Sequence, residues 1–320
     1  MINFAVIGVG SFGKKRATSI KESVNANLYG VFDKDQNKLN EIANELNVLP
    51  LKKDEIFTNN EIDVICICAP NKFHKELIKK SIINNKHVFC EKPLVKNYAE
   101  AQELSELSKN YKKKIQIGSN HRFFESVIYA KKLVDENTIG ELISFNGRIG
   151  HNGERLKNSW FWKKEMSGGG TMLDNGCHLL DLSRYFLGQF DQGKGIVTNS
   201  YWKDIEVEDT ASAIYTSKSG KTATIFCSWR LLSGYFFFEL NGTNGYINVD
   251  GRFDTHGGDK IFWSTTSEKK IFSKDFSKIK PNSYKLEIEN FANTINKDLK
   301  CSPSLNDGLE IMKMISYVYN

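Results

Sequence analysis

The spacing of apolar positions changes character along this chain. Up to about residue 118, apolar runs of strand length (2–7, 27–32, 61–69, 86–90 and 115–118) alternate with segments of helical spacing such as 14–23 and 98–109. The run EIDVICICA at 61–69 is apolar on both alternating faces, which suits a parallel strand covered by helices on either side. Beyond it, after a loop and a helix ending in the turn at 137–140, strand-like runs follow at 142–150, 195–202, 209–217, 222–232, 235–240 and 246–250. They are rich in β-branched and aromatic residues, and several are joined by short Gly or Asn turns. The pattern predicts an α/β chain. A doubly wound parallel sheet occupies a first domain, residues 1–118, and an α+β domain with a large open, mostly antiparallel sheet occupies residues 119–320. Helical periodicity returns at 284–296 and 305–319, segments that can pack back on the first domain.

Two turns at strand ends carry candidate chemistry. The first strand runs straight into GVGSFG at 8–13 and then into a helix. In that context Gly8 makes the tight turn, Gly10 admits a pyrophosphate and Gly13 allows close helix packing, with Ser11 and Phe12 opening a helix whose N–H groups face the phosphates. Asp33 ends the second strand 20 residues after Gly13, the spacing of an acid that binds ribose hydroxyls. A carboxylate there favours NAD and repels a 2′-phosphate; Lys34 softens the repulsion, so NADP stays possible. Pro70, Asn71 and His74 follow the third long strand, at the carboxyl end where open parallel sheets bind ligands. His74 either faces that crevice or packs the helix it begins. Glu91 and Lys92 stand at the end of the next strand, where Lys92 is either a crevice ammonium or a surface lysine.

The stretch GGGTMLDNGCHLLDL at 168–182 opens on three glycines and continues with helical spacing. Asp174 and His178, four apart, fall on one helical face, where a carboxylate can orient an imidazole base. A capped helix with a buried histidine is the plainer reading of the same letters. Further along, GYFFF at 234–238 puts aromatics on both faces of one strand. One face is expected to meet helices of its own domain and the other a second subunit, giving a homodimer or homotetramer through this sheet.

Composition narrows the picture less. A 320-residue chain that is 40% hydrophobic and 26% charged fits an ordinary two-domain protein, and no apolar run approaches the ~20 residues of a membrane span. The opening MINFAVIG has no basic leader region or cleavage site, so a cytoplasmic location is expected. Six cysteines lie scattered without zinc spacing and read as small buried residues, so neither a metal site nor a disulfide framework is expected. The net charge of +6 is dispersed; no nucleic-acid module and no membrane partner is predicted.

Taken together, GVGSFG with Asp33, CAPNKFH at 68–74, EKPL at 91–94, SNHRF at 119–123 and GGGTMLDNGCHLLDL make the chain resemble the Gfo/Idh/MocA family of NAD(P)-dependent oxidoreductases. The resemblance implies an N-terminal Rossmann domain and a C-terminal domain whose open sheet mediates oligomers. It implies that Lys92, before a cis Pro93, hydrogen-bonds the reacting oxygen, and that Asp174 and His178 form the base pair of the inositol dehydrogenase branch. Asn120, Arg122, His151, Trp162 and Lys163 fall in segments that line the family's substrate side, where Arg122 or Lys163 can meet a phosphate or carboxylate; each reads equally as a packing or surface residue. The implied substrate is a sugar or sugar derivative, with a nucleotide-linked or free amino sugar preferred from the character of residues 154–187. An NAD-dependent glycoside hydrolase that works by transient oxidation, and a non-catalytic cofactor sensor, are the rival readings.

Overall fold

The computed structural model describes residues 1–251 and 259–319. Two compact units emerge: residues Met1–Asn120 with Asn282–Met312, and His121–Pro281 with Lys313–Asn320. The first contains strands β1 (Ile2–Ile7), β2 (Ala26–Phe32), β3 (Leu49–Pro50), β4 (Val64–Ile67), β5 (His87–Cys90) and β6 (Ile115–Ile117) in the order β3-β2-β1-β4-β5-β6. All neighbours pair in parallel. This is the doubly wound arrangement, with the order reversing beside β1 and so placing a ligand crevice beyond its carboxyl end.

The reason for the double winding is visible in β4, whose four residues Val64–Ile67 are all buried. A strand with no exposed face needs helices on both sides. One face is closed by helix Ser11–Lys21 together with helix Ser283–Asn296, which comes from far along the sequence. Ile288, Phe291 and Ala292 of that helix join the core formed by Phe4, Ala17, Ile20 and Phe89, with Phe291 tilted against both phenylalanines.

The second unit contains β7 (Leu142–Asn152), β8 (Gln192–Thr198), β9 (Thr210–Thr216), β10 (Thr222–Ser228), β11 (Arg230–Gly242), β12 (Gly245–Gly251), β13 (Lys260–Thr265) and β14 (Phe272–Asp275), ordered β14-β13-β12-β11-β7-β10-β9-β8. All pairings are antiparallel except β7 with β10. β13 and β14 lie beyond the strands read from sequence, and the runs read as 222–232 and 235–240 divide instead at Trp229. One sheet face carries helix Cys177–Leu187, drawn close because Gly147 has no side chain: a Cβ there would stand 3.0 Å from Leu179. Phe236 and Phe238 point to this buried side, while Tyr235 and Phe237 stack on each other on the opposite face. That opposite face also shows Ile143, Ile196 and Ile214 substantially exposed.

Candidate active site

In the first unit the glycine loop has the shape a dinucleotide needs. Gly8 adopts φ +87°, and a Cβ on it would lie 2.9 Å from the Cys68–Ala69 backbone. A Cβ on Gly13 would stand 1.7 Å from the Gly8 carbonyl oxygen, so the third glycine closes the loop on itself as well as packing its helix. A Cβ on Gly10 would meet nothing within 4 Å, which leaves the middle of the loop open. No side chain caps helix Ser11–Lys21 and no acid sits in its first turn, so its N-terminal donors are available to an anion. Asp33 holds this loop to β2, accepting from Val9 N–H at 2.9 Å through Oδ2 and from Asp35 N–H at 3.0 Å through Oδ1.

Two of the residues read as cofactor contacts have other work. His74 is fully buried, with Nε2 2.8 Å from the Ala69 carbonyl and Nδ1 3.0 Å from that of Pro93. Burial pushes its pKa below the usual histidine value against the pull of those carbonyls. A neutral ring donates to one of them, so the imidazole is packed between the Ala69–Pro70 turn and the cis Lys92–Pro93 peptide and is hydrogen-bonded to one of the two. His74 therefore shapes the crevice loops from below. Glu91 pairs with the Arg16 guanidinium instead of facing outward. Asn71 is buried at the start of a short 3₁₀ turn, and Asn120 donates to Ser283 Oγ at 3.2 Å.

In the second unit the glycine triplet is explained by what presses on it. Gly168 takes φ +88°; a Cβ on Gly169 would lie 2.2 Å from the Tyr319 hydroxyl, and one on Gly170 1.9 Å from the Glu208 carbonyl oxygen. The buried Glu208 carboxylate accepts from Gly170 N–H and Met172 N–H at 2.9 Å each and from Tyr319 Oη at 2.7 Å. Burial raises its pKa, and those donors oppose the rise. An internal carboxylate thus fixes the entry into the motif.

The segment that follows is not a plain α-helix. Residues Met172–Gly176 form a π-turn, and only Cys177–Leu187 is α-helical. Such wide turns recur at functional sites because they re-aim side chains. Asp174 lies on the π-turn, where its Oδ2 accepts from Trp229 Nε1 at 3.0 Å and stands 3.3 Å from His151 Nε2. His178 is buried with its ring stacked on His121, centroids 3.8 Å apart and planes within 9°. Phe124 and Phe236 line the other sides of His121.

For Arg122 the structure favours the packing alternative. Its Nε and Nη2 donate to Asp181 Oδ2 and Oδ1 at 2.7 and 2.6 Å, and its guanidinium lies over the Tyr185 ring. Both partners of this forked pair are buried, so the charge is committed inside the unit and not offered to a substrate anion. Arg122→Ala is expected to destabilise the fold by ~3–5 kcal/mol, the cost of leaving one buried charge alone. Denaturant unfolding checks this; an unchanged midpoint would return Arg122 to the substrate side. Trp162 sits in the turn Trp160–Trp162 against Trp202, and Lys163 beside it is exposed.

Two family descriptions match the chain: "Oxidoreductase family, NAD-binding Rossmann fold" over residues 2–119, and "GFO/IDH/MocA C-terminal domain" over 127–248. The 2,7-anhydro-N-acetylneuraminate hydratase of Escherichia coli is 31% identical over 78% of this chain and 68% of its own length. The chain belongs to the GFO/IDH/MocA family. Myo-inositol 2-dehydrogenase of Thermotoga maritima is 30% identical over 78% of this chain and 75% of that protein. Among solved structures, levoglucosan dehydrogenase with NADH and levoglucosan shares the fold at TM-score 0.89 and 20% identity, covering 99% of this chain and 96% of that one.

Within this GFO/IDH/MocA chain, sequence reasoning singled out Asp174, His178 and His151 but not the residues packed against them. His121 stood in plain view between Asn120 and Arg122 in SNHRF, and Trp229 ends the strand run at CSW. Neither carries a spacing signal, because their partners lie far away in the sequence. The open Gly10, the uncapped helix and Asp33 fit a bound dinucleotide.

Proposed function

We propose that this chain moves a hydride between NAD and a secondary hydroxyl or ketone of a sugar, sugar derivative or nucleotide sugar. The observation that carries the reading is Asp174, held by His151 and Trp229 on a π-turn four residues before His178, in a family member that keeps Lys92. Bound nicotinamide supplies or takes up the hydride. Gly8, Gly10, Ser11, Phe12 and Gly13 receive the pyrophosphate, and Asp33 the ribose hydroxyls. His178 takes the hydroxyl proton as the C–H bond breaks, and the Asp174 charge favours the imidazolium that results. Lys92 donates to the same oxygen while it carries developing negative charge. His151 and Trp229 keep Asp174 in place, with Asn120, Trp162 and Lys163 on the substrate side.

The names of its relatives, which include inositol and levoglucosan dehydrogenases, support a ring polyol. The test is NADH absorbance on offering myo-inositol, levoglucosan, 2,7-anhydro-N-acetylneuraminate and a set of amino and nucleotide sugars with NAD. Growth of absorbance with any of them supports the reading, and none with any of them counts against it. A second reading, transient oxidation with the hydride returned, is favoured by the relative named as a hydratase. It predicts an altered sugar without NADH accumulating.

Cofactor choice follows from Asp33, whose carboxylate is fixed by two backbone donors. The kcat/KM for NAD should exceed that for NADP by at least tenfold, and Asp33→Ala should narrow the gap. Equal efficiency in the unmodified protein would refute the assignment. Assembly through the outer face of the second sheet, around Ile196, Ile214 and Phe237, completes the proposal; a monomeric mass in light scattering at micromolar concentration would contradict it.

A further inference from the structure

A buried charge cluster lies under the loop that carries Lys92, wholly inside the first unit. Arg16 of the glycine-loop helix is fully buried, and its guanidinium pairs with Glu91 through Nε and with Glu287 through Nη2. Glu287 is also fully buried and accepts from the Ser119 backbone N–H. The guanidinium is sandwiched between the rings of Phe89 and Tyr284, 4.6 and 4.5 Å from their centroids. Gly118 makes room for the arrangement, since a Cβ there would lie 3.1 Å from Glu91 Oε2 and 3.2 Å from Arg16 Nη2.

Two carboxylates thus share one buried cation. Burial pushes the Glu287 carboxyl up to about 7 against the attraction of Arg16, with Glu91 adding to the rise. Burial and Glu91 also push Tyr284 up to about 12, and the positive charges of Arg16 and Lys92 act against it. Lys92 is therefore in electrostatic reach of this cluster as well as next to Glu91 in the chain. Arg16 of the glycine-loop helix and Glu91 of the loop after β5 bear on Glu287; Tyr284, from the same helix as Glu287, feels Glu91, Arg16, Lys92 and Glu287, and Cys66 of β4 faces Arg16.

We propose that Glu287, brought to the Rossmann unit by the C-terminal segment, is a positioning residue for Lys92: through Arg16 it clamps Glu91, and its charge sets the field at the lysine. The inference rests on Lys92 being the reacting lysine, but its test does not require turnover. A structural brace alone would leave the reactivity of the Lys92 amine unchanged when Glu287 becomes a neutral isostere.

The experiment is competitive acetylation with trace acetic anhydride, read by peptide mass spectrometry as the ratio of labelling at Lys92 to that at Lys112. At pH 8.5, Glu287→Gln should raise the ratio at least threefold by removing a negative charge that favours the ammonium, while Glu287→Asp, which keeps the charge, stays within twofold of the unmodified protein. In the unmodified protein the ratio should fall as pH rises through about 7, where Glu287 ionises. This second measurement stands if Glu287→Gln does not fold. A ratio unchanged by Glu287→Gln, or flat across neutrality in the unmodified protein, would overturn the proposal. Normal turnover in Lys92→Ala would instead sink the role of Lys92 and leave the labelling result intact.

Discussion

His178→Ala should lower kcat by ~10²–10⁴-fold, the usual contribution of a positioned base, while NAD binding stays within a few-fold of normal. The argument starts from placement. His178 sits one residue into the α-helix that follows the π-turn, buried and stacked on His121. An alanine there removes the proposed proton acceptor, which belongs to the second unit, whereas the glycine loop belongs to the first. Dinucleotide affinity, measured by quenching of protein fluorescence, should therefore survive. Rates near normal in His178→Ala would show that the proton goes elsewhere, with His151 the next group to test because it shares Asp174.

Lys92→Ala carries the second large effect. The lysine follows strand β5, and its loop is held by the Arg16–Glu91 pair, with the His74 ring packed against the Pro93 carbonyl. In the proposed mechanism the lysine acts electrostatically on the reacting oxygen, and preorganised donors of that kind are worth ~10²–10³-fold in kcat. The loss should appear in kcat and kcat/KM alike, because the interaction strengthens as charge develops on the oxygen. A rise in KM with kcat preserved would make Lys92 a substrate-binding residue only.

Much of the first unit was legible because its signals are local. A strand feeding a glycine turn, a helix and then an acid at the right spacing needs no distant partner, and the structure places Gly8, Gly10, Gly13 and Asp33 in one loop system. The parallel sheet followed from β4 being apolar on both faces. What was hidden depends on contacts across the sequence. Helix Ser283–Asn296 closes the Rossmann face through Phe291 and Glu287, yet nothing in its 3.6-residue period tells which sheet it joins.

The same limit explains the site residues. Arg122 is a plausible anion ligand until Asp181 is found 2.6 Å away, since a guanidinium's partner cannot be read from its own neighbours. His74, which the sequence leaves open between the crevice and its own helix, lies between two carbonyls. Asp174 and His178 were found by helical spacing, although the backbone under Asp174 is a π-turn. The extra width arises where Glu208 grips Gly170 and Met172, a contact 36 residues distant from the latter in sequence.

Deuterium tracing tests the central claim most directly. Perdeuterated myo-inositol and perdeuterated levoglucosan would each be incubated with the protein and NAD, and the nicotinamide recovered for mass spectrometry. Net hydride transfer predicts one deuterium on the nicotinamide for each sugar oxidised, and its loss in His178→Ala and Lys92→Ala; transient oxidation instead returns the deuteride to the sugar and leaves the recovered NAD unlabelled. A sugar recovered in oxidised form with no deuterium on the nicotinamide would contradict it.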